Sequence, residues 1–172
     1  MIVLGPIALL IIVLILAISV AWTNFVGAPW VPTSMGMVNK MLKLAEVGPD
    51  DIVYDLGCGD GRTIITAAWR YGARAIGVEI DPLRYIWCQL LITILGLRKR
   101  VRIIYGNFFK QDLSEATVVT CYLLQDTNNR LEEKLKGELR VGTKVVSNTF
   151  TFPGLHSVRQ DGDARLYTVQ TE

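Results

Sequence analysis

The chain has 172 residues, 51% hydrophobic and 20% charged, which fits one compact domain with at most one appended segment and excludes compositional disorder. A formal net charge of +2 supplies no basic field of the kind that accompanies nucleic-acid binding, so nucleic acid is not the expected partner. Cys58, Cys88 and Cys121 form no C-x-x-C pair and have only His156 as a soft-metal companion, so neither a metal site nor a disulfide framework is expected.

No Asp, Glu, Lys or Arg precedes Lys40, and Ile2 to Trp22 form an apolar run broken only by Gly5, Pro6 and Ser19. About 20 helical residues cover a hydrocarbon core of about 30 Å, so residues 1–23 are expected to be a transmembrane anchor with Trp22 at the interface. The run lacks a basic n-region and exceeds an ordinary h-region, which argues against a cleaved signal peptide. Lys40 and Lys43 follow the run, so the expectation is a single-pass membrane protein with its C-terminal domain on the cytoplasmic side. Residues 24–33, with Pro29 and Pro32 around Trp30, read as an ordered pre-domain loop, and the domain itself is expected over residues 34–172.

Within that domain Met37, Val38, Met41, Leu42 and Ala45 recur at helical spacing, and Gly48-Pro49 stops the helix before a strand at Ile52 to Leu56. Helix and strand then alternate: Thr63 to Tyr71 helical, Arg74 to Ile80 extended, Pro82 to Leu97 helical, Val101 to Tyr105 extended. Asp81 and Pro82 suit the start of the third of these elements, and Leu83, Ile86, Trp87, Leu90, Leu91, Ile94 and Leu95 make one apolar stripe expected to pack on a sheet. A strand at Thr117 to Leu124, a helix with Leu131, Leu135 and Leu139 on one face, and a strand at Thr143 to Phe150 follow, before Asp161-Gly162-Asp163 turns a hairpin. The pattern predicts an α/β, Rossmann-like, doubly wound sheet, mostly parallel, with helices on both faces and a terminal antiparallel pair.

The segment Asp55-Leu56-Gly57-Cys58-Gly59-Asp60-Gly61-Arg62 closes the first strand and opens a helix, where doubly wound sheets bind ligands. A dinucleotide loop needs a small residue where Arg62 stands, and a Walker loop needs a Gly-Lys-Ser or Gly-Lys-Thr that is missing. Asp55 and Asp60 would repel a pyrophosphate but suit a ligand with an ammonium group, such as S-adenosylmethionine. Glu79, followed by Ile80, ends the neighbouring strand, where a carboxylate can accept ribose hydroxyls. Asn107 and Phe108 end the next, where an amide can bond the adenine amino group and a ring can pack on the base.

Through DLGCGDGR at 55–62, GVEID at 77–81 and GNFF at 106–109, residues 52–150 resemble a seven-strand (class I) S-adenosylmethionine-dependent methyltransferase. The resemblance implies the strand order 3-2-1-4-5-7-6 and a cofactor held by Asp55, Gly57, Cys58, Gly59, Gly61, Glu79, Ile80, Asn107 and Phe108. With GAPWVPTS at 27–34 ahead of the glycine loop, nearly the whole chain is similar to the protein-lysine methyltransferases of the ATP synthase c-subunit and the adenine nucleotide translocase, and to their prokaryotic relatives. In that family the Pro29 to Thr33 stretch is tied to activity.

Methyl transfer from a sulfonium is an in-line displacement that needs positioning and water exclusion more than covalent machinery. The expected transfer-site residues are Trp30, Thr33 and Tyr122, with Phe150 and Phe152 more often core than functional. No room remains for a substrate-recognition domain, so a protein substrate, membrane-associated like the anchor, is expected to dock on an open face. A lipid, quinone or other small-molecule acceptor, or a non-catalytic cofactor-binding membrane protein, are the competing expectations. An RNA acceptor is disfavoured by charge and by Cys121-Tyr122-Leu123-Leu124 standing where an Asn/Asp-Pro-Pro-aromatic motif would be.

Overall fold

The computed structural model describes residues 5–7, 9, 10, 13, 14 and 31–170. The chain divides into two units, residues 1–31 and 32–172. In the first, residues 5–7, 9, 10, 13 and 14 are helical and exposed, and Val31 is exposed and outside any helix. Most of the expected anchor, Trp22 and Trp30 lie outside the described residues, and among the described residues no helix is long and apolar enough to cross a membrane.

The second unit runs α1 (Met35–Leu44), β1 (Ile52–Leu56), α2 (Arg62–Tyr71), β2 (Arg74–Glu79), α3 (Pro82–Ile94), β3 (Val101–Tyr105), a 3-10 turn (Phe108–Lys110), β4 (Val118–Cys121), α4 (Gln125–Glu138), β5 (Lys144–Asn148), β6 (His156–Asp161) and β7 (Ala164–Thr168). The seven strands lie in the order β3-β2-β1-β4-β5-β7-β6. The first five are mutually parallel and β7 is antiparallel to both β5 and β6, as the resemblance implies.

Strand alternation divides the core in two. Val53, Ala75, Ile103, Val118 and Val146 face one side with residues of α1, α2 and α3, while Tyr54, Ile76, Val119 and Val145 face the other with Leu131, Leu135 and Leu139 of the α4 segment. Local chemistry sets the helix starts. Ser34 Oγ accepts from the Met37 N–H at 3.2 Å. Asp81 Oδ1 accepts from the Leu83 and Arg84 N–H groups at 2.9 Å each, with Pro82 filling the first turn.

Three expectations are corrected. The apolar stripe of α3 does not pack on the sheet: Cys88 and Ile92 are the buried residues, while Ile86 is 60% and Ile94 69% exposed. The stripe and the Cys88–Ile92 face lie on opposite sides of one helix turn, and the narrow face won because it fits beneath glycines. The fourth strand stops at Cys121, because Leu124 caps α4 and the chain must leave the sheet over Tyr122 to Leu124. The fifth stops at Asn148, because Thr149 adopts a left-handed φ of 67°, donates its N–H to Asp163 O at 2.8 Å and accepts from Arg165 Nη1 at 2.5 Å.

Candidate active site

The C-terminal ends of β1, β2, β3 and β4 share one edge, with Leu56 in register with Val78 and Cys121, and Glu79 with Tyr105. Strand order reverses between β1 and β4, so the loop after β1 sits at the switch point, where open α/β sheets hold ligands.

Gly57, Gly59 and Gly61 have φ of 76°, 58° and 81°, a left-handed path that a side chain would strain. The Gly57 and Cys58 N–H groups bond Val78 O at 2.9 and 3.1 Å, pinning the loop to β2. Beneath it a Cβ on Gly77 would come within 2.5 Å of Cys58 Sγ, and one on Gly61 would collide with Cys88 Sγ. The cysteines are thus buried thiols under the loop. The hydrogen bond between Cys58 and Cys88, together with burial, raises the Cys58 thiol well above its usual range, and burial pushes Cys121 up to about 12. Of Cys58, only backbone can face a ligand.

Asp55 is buried at the end of β1 and accepts from Thr120 Oγ1 at 2.7 Å. Burial pushes its carboxyl up to about 6, against the lowering hydrogen bonds of Thr120 and Thr63 and with help from the Glu79 and Asp60 charges. A buried carboxylate so raised favours a cationic partner. Glu79, also buried, accepts from Gly59 N at 2.8 Å through Oε2, and from Ile80 N at 2.9 Å and Asp81 N at 2.8 Å through Oε1. Each carboxylate oxygen can accept more than one bond, so Oε2 holds the loop and retains capacity for a hydroxyl donor.

Asp60 departs from its expected role. It forks with Arg62, Nε at 2.9 and 3.1 Å and Nη2 at 2.5 Å, and although burial opposes its ionisation, Arg62 holds its carboxyl below the usual range. It is therefore a partner of Arg62, whose guanidinium neutralises the charge expected to face an ammonium group. Arg62 Nη1 also donates to Thr33 O at 2.6 Å, so one guanidinium joins the glycine loop to the pre-domain residue Thr33. Sequence reasoning took Arg62 only as a missing glycine and missed this link, along with Thr63 and Thr120; no local pattern announces a contact across twenty-nine residues.

Tyr122 and Phe150, after β4 and β5, stack with centroids 6.5 Å apart and planes at 25°. Phe152 belongs to the core, 1% exposed and edge-on to Tyr167 at 5.6 Å. Asn107 Oδ1 caps the 3-10 turn by accepting from Phe109 N at 2.9 Å, and Phe108 packs against Phe109 at 4.8 Å. Trp30 lies outside the described residues.

S-adenosylmethionine fits these residues: a glycine cradle with little room for side chains, a buried carboxylate poised for an ammonium group and a second beside the loop. Residues 55–159 match the family described as the ANTKMT methyltransferase domain. The chain is 50% identical over 127 residues to a protein-lysine N-methyltransferase of Saccharolobus islandicus, covering 73% of this chain and 79% of that one. It is 34% identical to the adenine nucleotide translocase lysine N-methyltransferase of Mus musculus, spanning 78% of this chain but 58% of that protein. A crystal structure described as an RNA methyltransferase from Salinibacter ruber, bound to S-adenosyl-L-homocysteine, superposes with a TM-score of 0.76 at 40% identity, covering 83% of this chain and 95% of that one.

Proposed function

Since the chain belongs to the ANTKMT methyltransferase domain family and is an S-adenosylmethionine-dependent methyltransferase, we propose that it methylates a lysine ε-amine of a membrane-associated protein. The observation that carries the lysine assignment is the 50% identity to a protein-lysine N-methyltransferase over 73% of this chain. The apolar run from Ile2 to Trp22 supports the membrane part, because an anchor in the same bilayer raises the effective concentration of a membrane-bound acceptor. On this reading residues 1–23 anchor the chain in one pass and the catalytic domain is cytoplasmic.

When bound, the cofactor supplies an electrophilic methyl group on a sulfonium. Asp55 would fix the ammonium end, Glu79 would accept from the ribose, and the glycine backbone would accommodate the methionine portion. The Asn107 and Phe108 segment would receive the adenine. Tyr122 and Phe150 form an aromatic wall beside the strand ends, and Thr33 is tied through Arg62 to the loop. An incoming lysine, with a reference pKa of about 10.4, must lose its proton before attack, and a desolvating aromatic wall lowers that value. Tyr122 and Phe150 would exclude water from the neutral amine at this edge, where the bound cofactor would supply the methyl.

Membranes incubated with radiolabelled cofactor and the enzyme test the reading. Methyl-lysine in a labelled membrane protein is expected. RNA is the alternative acceptor, suggested by the name of the 40% identical Salinibacter ruber protein. Label lost to ribonuclease, or found on lipid or quinone without methyl-lysine, overturns the lysine assignment and leaves the methyltransferase standing.

A further inference from the structure

The outer side of α3 has no partner within the described residues. Leu83, Ile86, Trp87, Leu90 and Ile94 follow one another at helical spacing on that side, with Trp87 52% exposed, while Cys88 and Ile92 hold the helix to the sheet. Solvent-facing apolar side chains in a continuous stripe mark a binding surface, whereas scattered ones do not. On α2, the neighbouring helix over the same core, Trp69 is 71% exposed.

Charge identifies the occupant. Residues 82–111 contain Arg84, Arg98, Lys99, Arg100, Arg102 and Lys110 and no Asp or Glu, although the chain as a whole is nearly neutral. Arg98, Lys99 and Arg100 are exposed immediately beyond the C-terminal end of the stripe. An apolar helical face that includes Trp, bounded by Lys and Arg, is the composition of a helix lying in the headgroup layer of an anionic bilayer.

We propose that the outer face of α3, with its Arg98-Lys99-Arg100 end, is a membrane-contact surface that seats the domain on anionic lipid. Ile86, Trp87, Leu90 and Ile94 enter the boundary between headgroups and acyl chains, and the basic end meets the lipid phosphates. Glu79, Ile80 and Asp81 lead directly into α3, so a helix lying flat places the cofactor edge beside the bilayer surface. This contact belongs to the folded domain and does not depend on the apolar N-terminal run.

The test uses the full chain in vesicles of phosphatidylcholine with and without phosphatidylglycerol. A nitroxide is placed by Ile94→Cys on α3 or by Glu133→Cys on the exposed side of α4, the native cysteines being buried. With phosphatidylglycerol present, the label at position 94 should collide with oxygen several-fold more often than with a water-soluble nickel chelate, and the label at 133 should show the reverse. Arg98→Glu with Lys99→Glu should abolish the preference at 94. Equal exposure of both labels to the nickel chelate while the chain stays on the vesicles overturns the proposal and leaves the N-terminal anchor intact. Dipolar broadening between labels at position 94 without lipid also overturns it, since a second copy then covers the face.

Discussion

Lowering the pH through 6 should weaken cofactor binding through Asp55. Burial raises this carboxyl from 3.8 to about 6 in the unliganded domain, and a bound ammonium group favours its ionised form. Between pH 5 and 7 the ligand keeps its charges, since an α-amino group titrates at about 7.7 to 8.0 and an α-carboxyl at about 3.3 to 3.7. Affinity should therefore be nearly full at pH 7, about half at pH 6 and roughly tenfold lower at pH 5 than at pH 7, about 1.4 kcal/mol in all. The folding linkage has the opposite sign. Because the folded pKa lies above the unfolded one, the contribution of Asp55 to stability is present at low pH and lost as pH rises through about 6. Isothermal titration of S-adenosylhomocysteine across this range, with proton uptake measured in two buffers, checks the first statement. Asp55→Asn should bind tenfold to a hundredfold more weakly at pH 7, as for loss of a charged hydrogen bond, and lose the pH dependence. A flat profile for the native protein, or the same slope in Asp55→Asn, refutes the argument.

Glu79→Ala should weaken cofactor binding by about 1.5 to 3 kcal/mol, and unchanged affinity in a folded variant removes Glu79 from the ribose site. Arg62→Lys keeps the charge but loses the fork to Asp60 and the reach to Thr33 O, so limited proteolysis near residues 31–34 should accelerate; an unchanged cleavage rate would show that the link does not order the segment. Tyr122→Ala should lower kcat strongly with cofactor affinity held within a few fold, whereas a parallel loss of both would place Tyr122 in the cofactor site. A chain lacking Met1 to Trp22 should give a folded, cofactor-binding domain by circular dichroism and titration, because among the described residues both core clusters draw on Met37 and residues after it.

The elements were legible because the domain is locally consistent. Apolar runs of strand length end in glycines, and Asp81-Pro82 marks a helix start both by side chain and by backbone. The glycine loop was legible for the same reason: its placement between strand and helix is sequential. Tertiary choices were not. The stripe on α3 looked like a core face because periodicity reports that a face is apolar and says nothing about which side the sheet occupies. Asp60 and Asp55 are alike in sequence, but one meets a guanidinium and the other a buried threonine hydroxyl. Phe150 and Phe152 share a strand-like spacing, but β5 ends at Asn148 with Thr149 left-handed, so both lie outside the strand, one ring against Tyr122 and the other in the core.

The contact of Gly77 with Cys58, and of Gly61 with Cys88, has an evolutionary consequence. The floor of the loop admits a fixed total volume divided between a glycine on one element and a thiol on another. A methyl group gained at position 77 must be matched by atoms lost at position 58 and by movement of Ile64, whereas the left-handed φ of Gly61 bars a side chain there whatever is lost at position 88. Lineages of this enzyme should therefore change positions 77 and 58 together and keep glycine at position 61.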